Sequence, residues 1–247
     1  MDNEKRKQTI KFCIAISVLV IIVLIVISLI VKYQVEGEKN LPFKLSKIIM
    51  ISTAEGIENE KKVSQEWNLS IYQNNDIYLY IKKNEDYKYT ETIADIKLEN
   101  FNITQSPKVG QIKLLKPDAD AENVIFRNST ENETQSIIYE GDIESNMKLM
   151  KVSNQGGLVV FRYAISELGN YTSNEDEQIN HSELLKKLSI SNDDLKFKVL
   201  FDISINLDSN KSYKANMSLE LPVGNVVDDG IQSQENTDFK NLVFKRM

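Results

Sequence analysis

"LKFKVLFDISINLDSNKSYKANMSLEL" (195–221) carries the fold. Leu195, Phe197, Val199, Phe201, Ile203, Ile205 and Leu207 alternate with Lys196, Lys198, Leu200, Asp202, Ser204 and Asn206. A period of two over thirteen residues excludes a helical stripe and predicts a long strand with one buried face. Asp208-Ser209-Asn210-Lys211 then supplies residues that tolerate left-handed backbone. Alternation resumes at Tyr213, Ala215, Met217, Leu219 and Leu221. The stretch therefore reads as a β-hairpin, and its apolar face requires a second layer to cover it.

The pattern recurs toward the N-terminus. Trp67, Leu69 and Ile71 alternate, Asn74-Asn75 reads as a turn, and Ile77, Leu79 and Ile81 alternate back. Further strands are expected at 47–52, 93–103, 111–115, 124–127, 136–139, 148–152 and 158–166, the last entered through a turn at Asn154-Gln155-Gly156-Gly157. Short strands at this spacing, separated by Asn, Asp, Gly and Ser, predict a mainly β chain folded as an antiparallel β-sandwich-like domain. Only two short helices are expected. One lies at 58–66, and the other is Glu183 to Leu188, capped by Ser182 with Leu184, Leu185 and Leu188 inward. The loop-rich section 118–146 is the one plausible seam between two smaller β-domains.

The N-terminus has a different character. From Phe12 to Val31 no residue is charged, and only Cys13, Ser17 and Ser28 are mildly polar. Twenty helical residues reach roughly 30 Å, the thickness of a bilayer's hydrocarbon core. The run exceeds the roughly 7–15 residues of a secretory signal, and Lys32-Tyr33-Gln34-Val35-Glu36 at its exit offers no small-x-small cleavage site. A retained transmembrane helix with ends at Phe12 and Val31 is the reading. Lys5, Arg6, Lys7 and Lys11 crowd the flank before it and set the topology, keeping the N-terminus cytoplasmic. The expected layout is a cytoplasmic tail (1–11), a transmembrane helix (12–31), a juxtamembrane linker (32–40) and an extracytoplasmic β-rich domain (41–247). Gly37 and Pro42 discourage the helix from entering that domain, unlike a pilin.

Composition narrows the chemistry. Net charge is −6, but the eleven residues before Phe12 hold four cations and two anions, leaving 26 cations against 34 anions for the rest. An acidic domain is repelled by nucleic acid, so no nucleic-acid partner is expected. Cys13, the only cysteine, sits at the membrane's edge, so no disulfide staples the outer domain. With Arg127, Arg162 and Arg246 its only arginines, that domain has the composition of a bacterial, low-GC product. Eight N-x-[ST] triplets are what chance supplies in so Asn-rich a chain.

No catalytic, cofactor-binding or metal-ligating set emerges. His181 is alone, and a triad or zinc site needs further His or Cys, so it reads as a solvated loop residue. Asp118-Ala119-Asp120-Ala121-Glu122 fails as an EF-hand, because Asn123 stands where glycine belongs and Ser129 where the bidentate Glu belongs. That loop, 174–177 and Asp228-Asp229-Gly230 read as solvated acidic turns, with a weak calcium site as the alternative. Trp67 and the tyrosines at 72, 78, 80, 87 and 89 read as ordinary strand aromatics rather than a carbohydrate platform.

The stretches "VEGEKNLPFKLSKIIMISTAEG" (35–56), "QNNDIYLYI" (73–81), "NQGG" (154–157) and "LGNYTSNEDEQI" (168–179) resemble uncharacterised single-pass membrane proteins of clostridia-like Firmicutes. The resemblance implies a bacterial, membrane-anchored protein and no activity. The resulting expectation is a non-enzymatic binding or scaffolding module of the cell envelope, with an envelope protein or wall component as partner and no cofactor. The alternative is a cell-wall glycan hydrolase using two carboxylates, since that chemistry needs neither His nor Cys.

Overall fold

The computed structural model describes residues 2–59, 67–119, 125–173, 177–239 and 241–247. One long helix, α1 (Asp2–Glu36), precedes two six-stranded sheets. The first sheet holds β1 (Phe43–Glu58), β2 (Asn68–Lys83), β4 (Gln111–Leu115), β7 (Leu158–Ser166), β8 (Asn170–Thr172) and β11 (Ile231–Asn236). Its order is β11-β1-β2-β7-β4, with β8 also on β2. The second holds β3 (Ile93–Gln105), β5 (Ile137–Asp142), β6 (Lys151–Ser153), β9 (Phe197–Leu207), β10 (Ser212–Leu221) and β12 (Lys245–Arg246), in the order β12-β10-β9-β3-β5-β6. Only β5 and β6 pair in parallel among the described strands. The fold is thus mainly β, two sheets with one long apolar helix at the N-terminus.

The hairpin of 195–221 forms in the expected register, with Phe197 opposite Leu221 and Asn206 opposite Ser212. Asn210 takes the left-handed turn position at φ 61°. Leu195 is the one departure: it is buried in the single-turn helix α3 (Asn192–Leu195), whose Ser191–Asp194 capping box starts it just before the strand.

The strand through Asn74-Asn75 corrects the sequence reading. These residues do not turn; β2 runs unbroken between β1 and β7, pairing Asn75 with Ser52 on one side and Tyr163 on the other. Gln73 and Asn75 keep the phase of Leu69, Ile71, Ile77, Leu79 and Ile81, so all seven face the core. The burial of Gln73 and Asn75 is satisfied by a hydrogen-bonded chain, whereas the buried Asn74 side-chain amide has no partner among the described residues. Val223 N–H donates to Ser52 Oγ (2.9 Å), and Ser52 donates to Asn75 Oδ1 (2.7 Å). Asn75 Nδ2 donates to Gln73 Oε1 (2.8 Å) and to the Tyr163 carbonyl (3.3 Å).

Other boundaries shift for local reasons. Residues 125–127 form loop, and 147–150 form a turn that leaves only Lys151–Ser153 extended. Glu58 ends β1 instead of starting a helix, and the rest of that expected helix, 60–66, lies outside the described residues. Helix α2 (His181–Lys187) is capped by Asn180, not Ser182: the Asn180 side chain accepts the Ser182 N–H at 3.2 Å. The 118–146 section is no seam. Strands from before and after it enter both sheets, and the buried apolar residues form one cluster.

Candidate functional site

Three places combine exposure with unusual chemistry: the long helix and its junction, a cleft beside His181, and a cleft between the two sheets. Helix α1 carries every residue expected to set membrane topology. Lys5, Arg6, Lys7 and Lys11 occupy its first turns, and Phe12 and Val31 bound the apolar run, exposed by 66% and 56%. From Lys5 to Glu36 the helix is long and apolar enough to cross a membrane, and none of its most apolar window is buried against the domain. Ser17 returns its hydroxyl to the Cys13 carbonyl (2.9 Å), which satisfies it without water. Residues 32–36, expected in a linker, are helical. They contain no helix breaker, and the helix ends only at Gly37, at φ 69°.

There the helix is tied to the last strand. Glu38 N–H donates to the Phe244 carbonyl (2.7 Å), Arg246 N–H to the Tyr33 hydroxyl (2.8 Å), and Lys245 Nζ to Gln34 Oε1 (2.5 Å). A Cβ on residue 37 would stand 2.4 Å from the Phe244 oxygen, so only glycine allows this approach.

The cleft beside His181, about 570 Å³, is bounded by Thr53–Gly56 of β1, the start of α2, and Asp229–Ile231 at the start of β11. His181 Nδ1 lies 2.9 Å from the Ala54 carbonyl, so the ring is positioned rather than free in a loop. Its two carboxylates are engaged: Glu55 accepts from Thr53 (2.9 Å) and lies 4.0 Å from Arg162, and Asp229 accepts from Gln232 (2.7 Å). Among the described residues no group of three His, Cys, Asp or Glu side chains converges as a metal site. Of the acidic loops, 120–122 and 174–176 lie outside the described residues. Asp118 pairs with Arg127 (2.6 Å) and Asp228 with Lys186 (2.9 Å).

The aromatics do not gather into one platform. Tyr72, Tyr78 and Tyr80 share the outer face of β2, with Lys47 Nζ 4.6 Å from the Tyr80 ring centroid. Tyr87 and Tyr89 lie beyond the strand, in edge-to-face contact with each other at 5.8 Å. Trp67 precedes β2 and stands half exposed. On the same outer face Arg162 is buried in a bidentate pair with Asp76 (2.5 and 3.0 Å) and stacks on Phe126 (4.8 Å), which fastens the 125–128 segment over the sheet.

The cleft between the sheets, about 460 Å³, opens where β3 and β4 end up on opposite layers. Phe101, Ile103, Ile112, Leu114 and Tyr163 line it, and Asn100, Thr134 and Gln135 form its polar rim. Asn100 makes the opening. At φ 56° it breaks the β3–β9 ladder between Glu99 and Asn102 and is held there by donating to Asp202 (2.7 Å). Phe101 then stacks on Phe201 at 5.4 Å and meets Phe161 and Tyr163 edge-on or tilted. Tyr163 is 2% exposed and its hydroxyl has no hydrogen-bond partner among the described residues. Burial raises its pKa far above the ordinary tyrosine range. Such an orphan hydroxyl costs about 1–3 kcal/mol. Contrast Tyr139, equally buried: its hydroxyl donates to the Val160 carbonyl (2.7 Å) and accepts the Val160 N–H (3.2 Å), completing the edge of β7 beyond the reach of β4.

None of the inter-sheet cleft was anticipated from sequence. The one available signal was a slip of phase, since Ile96 and Leu98 are even-numbered and Phe101 and Ile103 odd, which marks a bulge. Comparison of the chain with protein-family models, curated proteins and solved structures finds no match.

Proposed function

We propose that this chain is a membrane-anchored, extracytoplasmic binding or scaffolding module of a bacterial cell envelope, non-enzymatic, with its N-terminus in the cytoplasm. The observation that carries the reading is the uncharged run from Phe12 to Val31: a helix of about 30 Å, exposed along its length and leaning on nothing in the domain. In water such a surface would aggregate; in lipid it is the stable form. The cations at 5, 6, 7 and 11 against a long following domain argue for the cytoplasmic N-terminus. A two-sheet body tied to the end of the helix through Glu38 N–H to Phe244 and through Tyr33 and Gln34 to Arg246 and Lys245 is suited to presenting a surface close to a bilayer.

Protease treatment of intact cells expressing a C-terminally tagged chain tests location. Loss of the tag from a membrane-bound product is expected. A protected tag, or a tagged domain freed into the medium with a new N-terminus, would refute it. For the absence of enzymatic activity, full-length protein in detergent is incubated with purified wall glycan; release of soluble fragments would replace this reading with the hydrolase.

A further inference from the structure

The inter-sheet cleft coincides with an unfinished strand edge. Strand β4 pairs along its length with β7, and its other edge is met only at its end, where Leu115 bridges Glu133. There the Leu114 carbonyl takes the Thr134 N–H (3.0 Å) and Lys116 N–H reaches the Asn132 carbonyl (3.0 Å). Alternation along a strand then turns Ile112 N–H, Ile112 C=O and Leu114 N–H to that same edge, and none of the three has a partner among the described residues. Across the cleft, β5 accompanies β3 only over Asp95–Leu98, so the stretch after it, through Gln105, has no paired strand on that side among the described residues. Two open edges, an apolar trough between them and the orphan hydroxyl of Tyr163 at its floor occur together.

We infer that the β4 edge and this cleft bind an extended peptide segment of a partner protein by strand addition, its apolar side chains entering between the sheets and acidic ones facing out. Main-chain pairing to an open edge with alternate side chains in pockets is an established recognition geometry. The apolar preference follows from Phe101, Ile103, Ile112 and Leu114. The acidic preference follows from Lys113, which projects to the outer face between Ile112 and Leu114 and enters no ion pair among the described residues. Opposite-charge cross-strand neighbours are favourable and like charges are not. The same lysine disfavours a second copy as occupant, because antiparallel pairing of β4 with itself about this point sets Lys113 against Lys113. Tyr163 supplies a hydroxyl for a polar group at the buried end of the peptide.

The inference deepens the binding-module reading without using the anchor's orientation. It is tested with the full chain in lipid nanodiscs, by selecting from a phage-displayed library of random nine-residue peptides. Enriched sequences are expected to alternate apolar with polar residues and to carry Asp or Glu in the outward phase. For a synthetic selected peptide, Ile112→Pro, which removes an N–H that β7 does not use, and Ile103→Asp should each weaken binding about tenfold. Lys113→Glu, a change at a half-buried position outside the apolar core cluster, should shift selection toward Lys-bearing peptides. N-methylation of alternate peptide amides should abolish binding, and bound peptide should slow amide exchange at Ile112 and Leu114. Selection without alternation, unchanged affinity in Lys113→Glu together with unprotected Ile112 and Leu114 amides, or a dimer formed through β4 would overturn the inference. A protected tag in the protease assay with edge-dependent peptide binding would sink the location alone; an exposed tag with an inert edge would sink this site alone.

Discussion

Strands β2 and β9 occupy equivalent places, each inside its sheet and each contributing one face to the shared core, yet they are built on different principles. Strand β9 fills its face with Phe197, Val199, Phe201, Ile203, Ile205 and Leu207. Strand β2 sets Gln73 and Asn75 in the middle of an otherwise apolar row. The core-facing side chains of the first are all apolar and hold that face by packing, with no hydrogen bonds to make. The second depends on a chain of donors and acceptors reaching across three strands to Val223. The lesson is that a polar residue in phase with an apolar alternation can be a core position, provided neighbouring strands supply its partners.

The largest effect that would sharpen the contrast is expected on the β9 side. Phe201→Ala removes the ring that Phe101 and Phe161 pack upon and should cost about 3–5 kcal/mol in urea or thermal unfolding, by lost transfer and an unfilled cavity. Next comes Asn75→Ala, expected to cost about 2–3 kcal/mol because Ser52, Gln73 and the Tyr163 carbonyl each lose a partner. A double-mutant cycle of Gln73→Ala with Asn75→Ala should show coupling of at least about 0.5 kcal/mol. Additive losses would mean that β2 is held by packing after all, as β9 is.

Tyr139→Phe should cost about 1–2 kcal/mol, since it strips both partners from the buried Val160 peptide. Tyr163→Phe should stabilise the fold by about 1 kcal/mol or more, because it removes a buried hydroxyl that makes no bond. The same substitution should weaken peptide binding a few-fold. A large stability loss in Tyr163→Phe would show that the cleft floor is an ordinary core polar site.

Acid gives the smallest and most distributed effect, on the outer face of the second sheet. Hydrogen bonds from Lys97 and Lys214 hold the Glu99 carboxyl below its usual range, and Lys211 does the same for Glu91. Asp202 is also lowered: burial pushes it up, but hydrogen bonds from Asn100, Asn216 and Lys214 outweigh that. Carboxyls lowered by folding stabilise the fold fully above the unfolded carboxylate range, about pH 4, and lose that contribution as pH falls through it. Melting temperature should therefore decline below about pH 4, and Lys214→Met should shrink the decline. Because Asp202 holds Asn100 at the cleft's rim, peptide affinity should fall in the same interval.

Much of the fold was legible because its signals are local. The 195–221 hairpin could be read from alternation and one turn, and the 158–166 strand from an apolar run, interrupted at Arg162, that follows the Gly156-Gly157 turn. The apolar helix could be read from length alone. Asn74-Asn75 misled because asparagine is a common turn residue, while the unbroken odd-numbered phase from Leu69 to Ile81 was the stronger signal. Asn180 displaced Ser182 as the cap by two residues, a distinction hydrophobic pattern does not make.

Alternation and apolar length depend on residues within a few positions of one another, so the chain by itself determined that a helix able to cross a bilayer precedes strands with one oily face. Which strands share a sheet, how Ser52, Asn75 and Val223 meet, and where β3 and β4 leave their edges open all depend on contacts between residues far apart in the chain, 171 positions for Val223 and Ser52 and more for the pairing of Ile48 with Asn236. Those contacts were decided by the packing of two sheets around one core, where buried backbone and side-chain polar groups must find partners and the bulge at Asn100 leaves some without any.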